Sequence, residues 1–401
     1  MSGQRKQQSV AKSPPLAGVR VLEYAQYVAG PLCGVLLRDL GAEVIKIEPP
    51  TGDGYRYVMP VSTELGRFFV PLNRGKRSVL LDLKTEAGRA RSARLIARAD
   101  VVLHNYAPGR ATAFGLDWDA LHAKHPALVV GVVTSFGPTG PLAGAPAYDL
   151  VAQARSGLLT AHAGPGDTIP VRAGGIPLAD LTAGHLLASS VLAALVAART
   201  TGTGSVVDVS LLAAALAVQV QDLVWLEDEG SSDARVATPA DLTARAMEIS
   251  GDLAMNPYYR CYSTRTGFIA VACLNRAQRE AFLGLFGLDD STVAGPDIVP
   301  AEAGVLADKQ RLTSEIERRI SGEAASAWLD RLAAAGVPAS PVLVRESVPG
   351  DEQVRSSGLV AEVEQPGLGR VRMLRSLVGG REPAPAPGLG ADTDAVLEEL
   401  A

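Results

Sequence analysis

The feature that most constrains the fold is a rhythm in the first third of the chain. Gly18-Val-Arg-Val-Leu-Glu23 is short and rich in branched apolar residues, and is expected as a buried strand. A loop over residues 24–30 leads to Pro31, which suits a first helical turn because its missing N–H has no partner there. The helix is expected to stop at Gly41, and Glu43-Val-Ile-Lys-Ile-Glu48 to form a second strand. A strand–helix–strand unit this tight is a right-handed parallel crossover. The rhythm continues with an extended piece at Leu80–Asp82, a helix capped by Thr85, a strand at Val101–His104, a helix at Trp118–Lys124 and a strand at Ala127–Thr134. Such alternation predicts an α/β fold with a doubly wound, mostly parallel, Rossmann-like sheet. Ligands then bind in the loops after Glu23, Glu48, His104 and Thr134, at the carboxyl ends of the strands.

The rest of the 401 residues divides less regularly. Residues 1–15 are polar and basic and read as a disordered arm. Residues 16–227 make the N-terminal part of the large domain, with helices over Tyr148–Thr160, from Asp180 to Arg199, and from Ser210. Residues 228–255 read as a linker, and 256–335 as a smaller α+β domain opened by a hairpin, Tyr258–Thr264 and Gly267–Ala272. Residues 336–401 return to the large domain. The apolar stretches 181–198 and 206–226 read as core helices, not membrane spans, because polar residues such as His185, Asp208 and Asp222 interrupt them. A net charge of -5 gives no reason to expect nucleic acid. Three cysteines without a C-x-x-C pair fit a reducing cytoplasm.

Familiar catalytic signatures are missing. Asn73-Arg-Gly-Lys-Arg-Ser78 lacks the glycine spacing of a phosphate-binding loop, and no G-x-G-x-x-G follows the first strand, which argues against an NAD oxidoreductase. No spaced Cys/His set for a metal occurs. The cations Arg74, Lys76, Arg77 and Lys84 suit either a solvated face or phosphate contacts. Asp180, at the head of a long helix behind a glycine pair and Pro177, reads on its own as an N-cap accepting from the first free N–H groups.

Ordered motifs along the chain carry more. They include Leu16-Ala-Gly-Val-Arg-Val-Leu-Glu23, Ala29-Gly-Pro31, Leu40-Gly-Ala-Glu-Val-Ile-Lys-Ile-Glu48 and Leu72-Asn-Arg-Gly-Lys-Arg-Ser78. Further on come Leu81-Asp-Leu-Lys-Thr-Glu-Ala-Gly88, Ser135-Phe-Gly-Pro-Thr-Gly140, Tyr148-Asp-Leu-Val-Ala-Gln-Ala154, Val207-Asp-Val-Ser-Leu-Leu212 and Gly390-Ala-Asp-Thr-Asp394. With them the chain resembles the class III coenzyme A transferases, the family of formyl-CoA transferase and carnitine CoA-transferase, which also holds the α-methylacyl-CoA racemases. The resemblance implies a large doubly wound domain built from both ends of the chain, a small domain between them, and two subunits interlocked as a homodimer.

The resemblance also implies chemistry. The family's nucleophilic aspartate falls on Asp180, which attacks an acyl-CoA thioester, passes through a mixed anhydride and an aspartyl-CoA thioester, and hands CoA to an acceptor acid. Coenzyme A is then a substrate, with no permanently bound cofactor and no metal; the partners are an acyl-CoA and a carboxylic acid, with no nucleic acid and no membrane. CoA-contacting positions fall on Val28, Ala29, Leu81, Asp82, Leu83, Lys84, Asn105, Tyr106, Ala107, Tyr148 and Asp149. Two basic positions of formyl-CoA transferase are Pro49 and Ala113 here, leaving Arg56 or Arg110 as further cations for phosphates. Racemases of the superfamily carry a His and a Glu where this chain has Tyr148 and Asn275, and neither replacement is a base at neutral pH, which favours transfer. A CoA-ester binder without turnover is the remaining alternative, and retention of Asp180 argues against it. Val28 replaces a Gln of formyl-CoA transferase, which argues against oxalate, and Gly251-Asp-Leu-Ala-Met-Asn-Pro257 replaces its glycine-rich lid.

Overall fold

The computed structural model describes residues 13–162, 167–172, 175–224, 235–291, 303–376, 378 and 381–399. Six strands form one sheet: β1 (Arg20–Glu23), β2 (Glu43–Glu48), β3 (Arg77–Leu80), β4 (Val101–His104), β5 (Val129–Thr134) and β6 (Val206–Ser210). Their order is β3-β2-β1-β4-β5-β6 and every pairing is parallel. The direction of winding reverses between β1 and β4, and in doubly wound sheets ligands bind at the carboxyl ends of the strands beside such a reversal.

Strand pleating sends alternate side chains to opposite faces, and each face has its own core. Val21 joins Ala29, Cys33, Ala183, Leu187 and Val191 on one face. Leu22 joins Ile45, Val79, Leu95, Val102 and Val130 on the other. On the first face the helix Ala29–Asp39 packs against the long helix Leu178–Thr201. Their approach is close enough to demand glycine, since a Cβ at Gly184 would lie 2.8 Å from the Ala29 carbonyl oxygen. Gly184 is one turn beyond Asp180, so this contact draws the head of the long helix toward the loop after β1.

Local chemistry moves several expected boundaries. The apolar run from Val206 begins as a strand, because Val206, Val207 and Val209 favour a pleated backbone. Its helix starts only at Leu211, where the Ser210 hydroxyl accepts from Ala213 N–H at 3.0 Å. The third extended piece is Arg77–Leu80, earlier than the expected Leu80–Asp82, with Arg77 bonded to Glu43 of β2 at 2.8 Å. The expected helix over 148–160 breaks into Asp149–Arg155 and Leu158–Ala161 around Gly157, whose φ is +80°.

The chain divides into two compact units, Met1–Leu159 with Arg172–Ser232 and Glu352–Ala401, and Thr160–Val171 with Asp233–Asp351. In the first, the end of the chain closes the β3 edge: Asp392 accepts from Ser78 N–H at 2.8 Å and Thr393 from Leu80 N–H at 3.0 Å. The second unit pairs β7 (Tyr259–Thr264), β8 (Gly267–Ala272) and β9 (Ala339–Pro341) around a core of Tyr262, Ile269, Phe282, Ile316 and Leu332. The stretch 228–255, expected as a linker, falls partly outside the described residues and carries the helix Pro239–Met255, so residues 251–255, which stand in place of the glycine-rich lid of formyl-CoA transferase, are helical. Among the described residues one helix, Leu178–Thr201, is long and apolar enough to cross a membrane, yet 44% of that window is buried against its own protein.

Candidate functional site

The loops after β1 and β4 meet at the point where the winding reverses. Gln26 N–H donates to Asn105 Oδ1 at 3.2 Å, and Asn105 Nδ2 returns a bond to the Gln26 carbonyl at 2.9 Å. The two loops are thus stitched together at the point where the winding reverses. The next residue, Tyr27, holds a φ of +71°, a left-handed backbone that a tyrosine adopts at a cost of about 1–3 kcal/mol. Asp53 helps hold it: its Oδ1 accepts from Tyr27 N–H at 3.3 Å and from Tyr55 N–H at 2.9 Å. The constraint delivers an aromatic ring. Tyr27 meets Tyr55 edge-on at 5.6 Å and Tyr148 at 5.7 Å, and Tyr55 leans on Phe68 at 6.0 Å.

Beneath these loops lies a cage of buried charges. Lys46 Nζ sits 3.1 Å from Glu23, 2.9 Å from Asp53 and 2.9 Å from the Ala25 carbonyl. Lys76 Nζ reaches both oxygens of Glu23 at 2.8 and 2.7 Å, and also Pro31 O and Asn73 Oδ1. Arg56 holds Glu48 with two bonds of 2.7 Å. Three carboxylates meet three cations, all nearly inaccessible. Burial dominates at Lys76 and lowers it to about 8, against the pull of Glu23. At Lys46 burial is outweighed by Asp53, Glu23 and Glu48, which hold the ammonium well above its ordinary range. Glycine is required here too, since a Cβ at Gly34 would fall 1.8 Å from Glu23 Oε2.

The head of the long helix is built differently. Its N-cap position is Pro177, which has no side-chain acceptor. The cap comes from another helix: Asp149 Oδ1 accepts from Ala179 N–H at 3.0 Å and from Asp180 N–H at 3.3 Å. Asp149 Oδ2 accepts from Gln153 Nε2 at 2.7 Å and lies 3.7 Å from Arg172 Nη1. Asp180 is therefore not the cap of its helix, as the sequence alone suggested. Its carboxylate is half-buried, with no hydrogen bond among the described residues. Burial, then the facing charge of Asp149, push it up to about 7, and Arg172 offsets this only in part. Burial and then the Asp180 charge also raise the phenol of Tyr55.

The expected ligand positions sort by what they expose. Val28, Ala29, Leu81 and Leu83 are buried and offer only backbone. The helix Ala29–Asp39 opens there without a side-chain cap, so its first N–H groups are available to an acceptor. Asp82 turns its carboxylate back to Lys84 N–H at 3.0 Å, which leaves the exposed Lys84 ammonium outward. Asn105 is committed to Gln26, Tyr106 stacks on His104 and packs edge-on against Phe114, and Ala107 is exposed. Tyr148 is 67% exposed. Asp149 is buried, and its two oxygens are taken up by the helix N–H groups and by Gln153, so its carboxylate serves the helix and not a ligand phosphate.

Arg56 is likewise ruled out as a phosphate contact by its grip on Glu48, whereas Arg110 is exposed. The basic knot is taken up in ion pairs: Lys76 pairs with Glu23, Arg74 with Asp39, and the partly exposed Arg77 with Glu43 and Glu399. In the second unit, the Asn275 side chain accepts from Gln278 N–H at 3.0 Å and caps the helix Arg276–Gly284. No group of His, Cys, Asp and Glu able to hold a metal occurs among the described residues.

Residues 16–393 match the pattern of CoA-transferase family III. A probable fatty acyl-CoA transferase of Mycobacterium tuberculosis is 33% identical over 331 residues, 81% of this chain and 82% of its own. The succinate–glutarate CoA-transferase of Agrobacterium fabrum is 32% identical over 97% of this chain and 96% of its own. Among solved structures, a CAIB/BAIF family protein from Brucella suis superposes with a TM-score of 0.78 at 29% identity, covering 97% of this chain and all of its own. The M. tuberculosis protein superposes at 0.76, also at 29% identity, covering 95% of this chain and 99% of its own.

Proposed function

The chain belongs to CoA-transferase family III, and from that premise we propose that it moves CoA from an acyl-CoA to a free carboxylic acid through covalent intermediates on Asp180. The observation that carries this reading is the state of the Asp180 carboxylate. It stands at the head of a helix whose cap is supplied by Asp149, so its lone pairs are not engaged by the backbone. Held near 7, it is substantially ionised at neutral pH and more basic than an ordinary aspartate, which makes its anion the better nucleophile.

In the first step a carboxylate oxygen of Asp180 attacks the thioester carbonyl, and CoA leaves as the thiolate, giving an aspartyl–acyl anhydride. The thiolate attacks the aspartyl carbonyl and releases the donor acid, leaving an aspartyl-CoA thioester. The acceptor carboxylate attacks that carbonyl, forming a second anhydride and freeing the thiolate again. The thiolate then takes the new acyl group and regenerates Asp180. Each tetrahedral oxyanion needs donors, and the uncapped N–H groups at Ala29 and Gly30 suit that part. Lys84 and Arg110, both exposed, are the cations best suited to the CoA phosphates.

Racemisation asks for two proton-transfer groups. Tyr148 presents a phenol and Asn275 an amide that caps its own helix, so transfer is the better reading. An interlocked homodimer belongs to the same reading and accords with apolar side chains left open on the long helix, Leu186 at 38% and Val196 at 67% exposed. The relatives' names pair CoA with succinate, glutarate, oxalate and fatty acids, so small dicarboxylates and fatty acids are the first acids to try. The test is incubation with succinyl-CoA and such a panel, resolving the acyl-CoA products by mass. New acyl-CoA matched by released succinate is expected. Deuterium gain at the α-carbon in heavy water, without exchange of acid, would overturn the reading.

A further inference from the structure

We infer that Asp149 is a positioning residue for the transfer reaction: by taking the hydrogen bonds of the helix cap, it fixes the turn that aims Asp180 and leaves the Asp180 carboxylate free to react. The inference rests on reading Asp180 as the nucleophile. Its physical basis is a vacancy at Pro177. A helix start needs an acceptor for the N–H groups of its second and third residues, here Ala179 and Asp180. Pro177 has none to give, and an aspartate within the first turn is the nearest group able to fold back onto that backbone. A carboxylate bound in that way has lone pairs engaged and its direction set by the helix. Asp149 reaches across from another helix and binds both N–H groups with one oxygen, so Asp180 is released from the task.

The second consequence is electrostatic. The groups that face the Asp180 carboxylate are Asp149 from the helix Asp149–Arg155, Arg172 from the segment before the long helix, and Tyr55 from the turn Gly54–Tyr57. Asp149 repels a charge on Asp180, whereas Arg172 favours it. Burial raises the Asp180 acid most, and Asp149 adds to it, so Asp149 shifts the pH at which the anion appears. Replacing Asp149 by asparagine keeps an oxygen for the cap and removes the charge. The neighbourhood accommodates the exchange: Gln153 Oε1 is buried without a partner among the described residues, and an amide flip would turn it to accept from the new N–H.

The experiment compares the full-length parent chain with D149N and D149A, aspartate γ-carboxyl carbons being labelled with 13C and the Asp180 signal identified by its loss in D180N. Titration without substrate reads the Asp180 midpoint directly. In D149N the midpoint is expected to fall by about one unit, because the like charge is gone. In D149A it falls as well, and hydroxylamine trapping of Asp180 during turnover of succinyl-CoA at pH 9 drops about tenfold or more, because the turn is no longer pinned. Should D149A fail to fold, the D149N midpoint carries the test alone. A D149N midpoint within 0.2 units of the parent, or a folded D149A that traps as fast as the parent at pH 9, would overturn the inference. Absence of any hydroxamate at Asp180 in the parent would instead sink the nucleophile reading, while the midpoints would still report what Asp149 does.

Discussion

Two clusters of charge lie in the same unit and obey opposite rules. In the cage, Glu23, Glu48 and Asp53 meet Lys46, Lys76 and Arg56 with contacts between 2.7 and 3.1 Å. At the head of the long helix, two carboxylates face one another with, among the described residues, a single partly exposed arginine, 3.7 Å from Asp149. The cage is balanced, so its charges are tied to their partners and unavailable for reaction. The helix head is unbalanced, and what it lacks in pairing appears as a raised acid. A protein tolerates such an imbalance where chemistry requires it. The cage sits beneath the loops after β1 and β4, and its Asp53 accepts from Tyr27 N–H, which helps to hold that left-handed backbone.

The contrast is broken most severely at the proposed nucleophile. Asp180→Asn is expected to lower CoA transfer by at least about a thousandfold, some 4 kcal/mol of barrier, in steady-state assays. Lys76→Met strikes the balanced cluster and leaves Glu23 half-paired. A loss of about 3–5 kcal/mol in urea unfolding is expected, as for other broken buried pairs. A loss under 1 kcal/mol would show that the cage is not the rigid base it looks.

Smaller changes sharpen the same comparison. Asp180 is more readily protonated in the folded chain than in the unfolded one. Its folded state is therefore favoured below the ordinary carboxylate range, and that advantage is lost as pH rises through about 7. Asp180→Asn removes the penalty, so melting at pH 8 should rise by roughly 2 °C or more over the parent, with the gain vanishing near pH 4. Arg172→Gln takes away the one favourable charge, so the acid limb of the rate profile should move up by about half a unit, muted by solvent at the exposed guanidinium.

The fold was legible because it rests on local periodicity. The runs that became β1, β2, β4 and β5 are each short, branched and bounded by turn residues, and their order follows from crossover handedness. β6 escaped notice because Val206–Ser210 runs directly into an apolar helix, and only the Ser210 cap separates them. The resemblance pointed to Asp180, and what surrounds it was poorly legible. Asp149 and the helix it caps are 30 residues apart, and no periodicity links them. One signal was present: a proline at the cap position means that the acceptor must come from elsewhere. Lys76 and Arg56 misled because charge alone does not reveal burial, and their carboxylate partners lie on strands that sequence reads as simply apolar. Tyr27 and Tyr55 gave no signal, since nothing local marks a tyrosine held at positive φ.

The central claim is that Asp180 becomes covalently acylated. The most direct measurement is peptide mass spectrometry after incubation with succinyl-CoA and hydroxylamine, which captures an anhydride or thioester as a hydroxamate. A hydroxamate on the peptide bearing Asp180, absent in Asp180→Ala and rising with pH through about 7, is the predicted result. Turnover of succinyl-CoA with Asp180 unmodified, or a hydroxamate on any other residue, would contradict it.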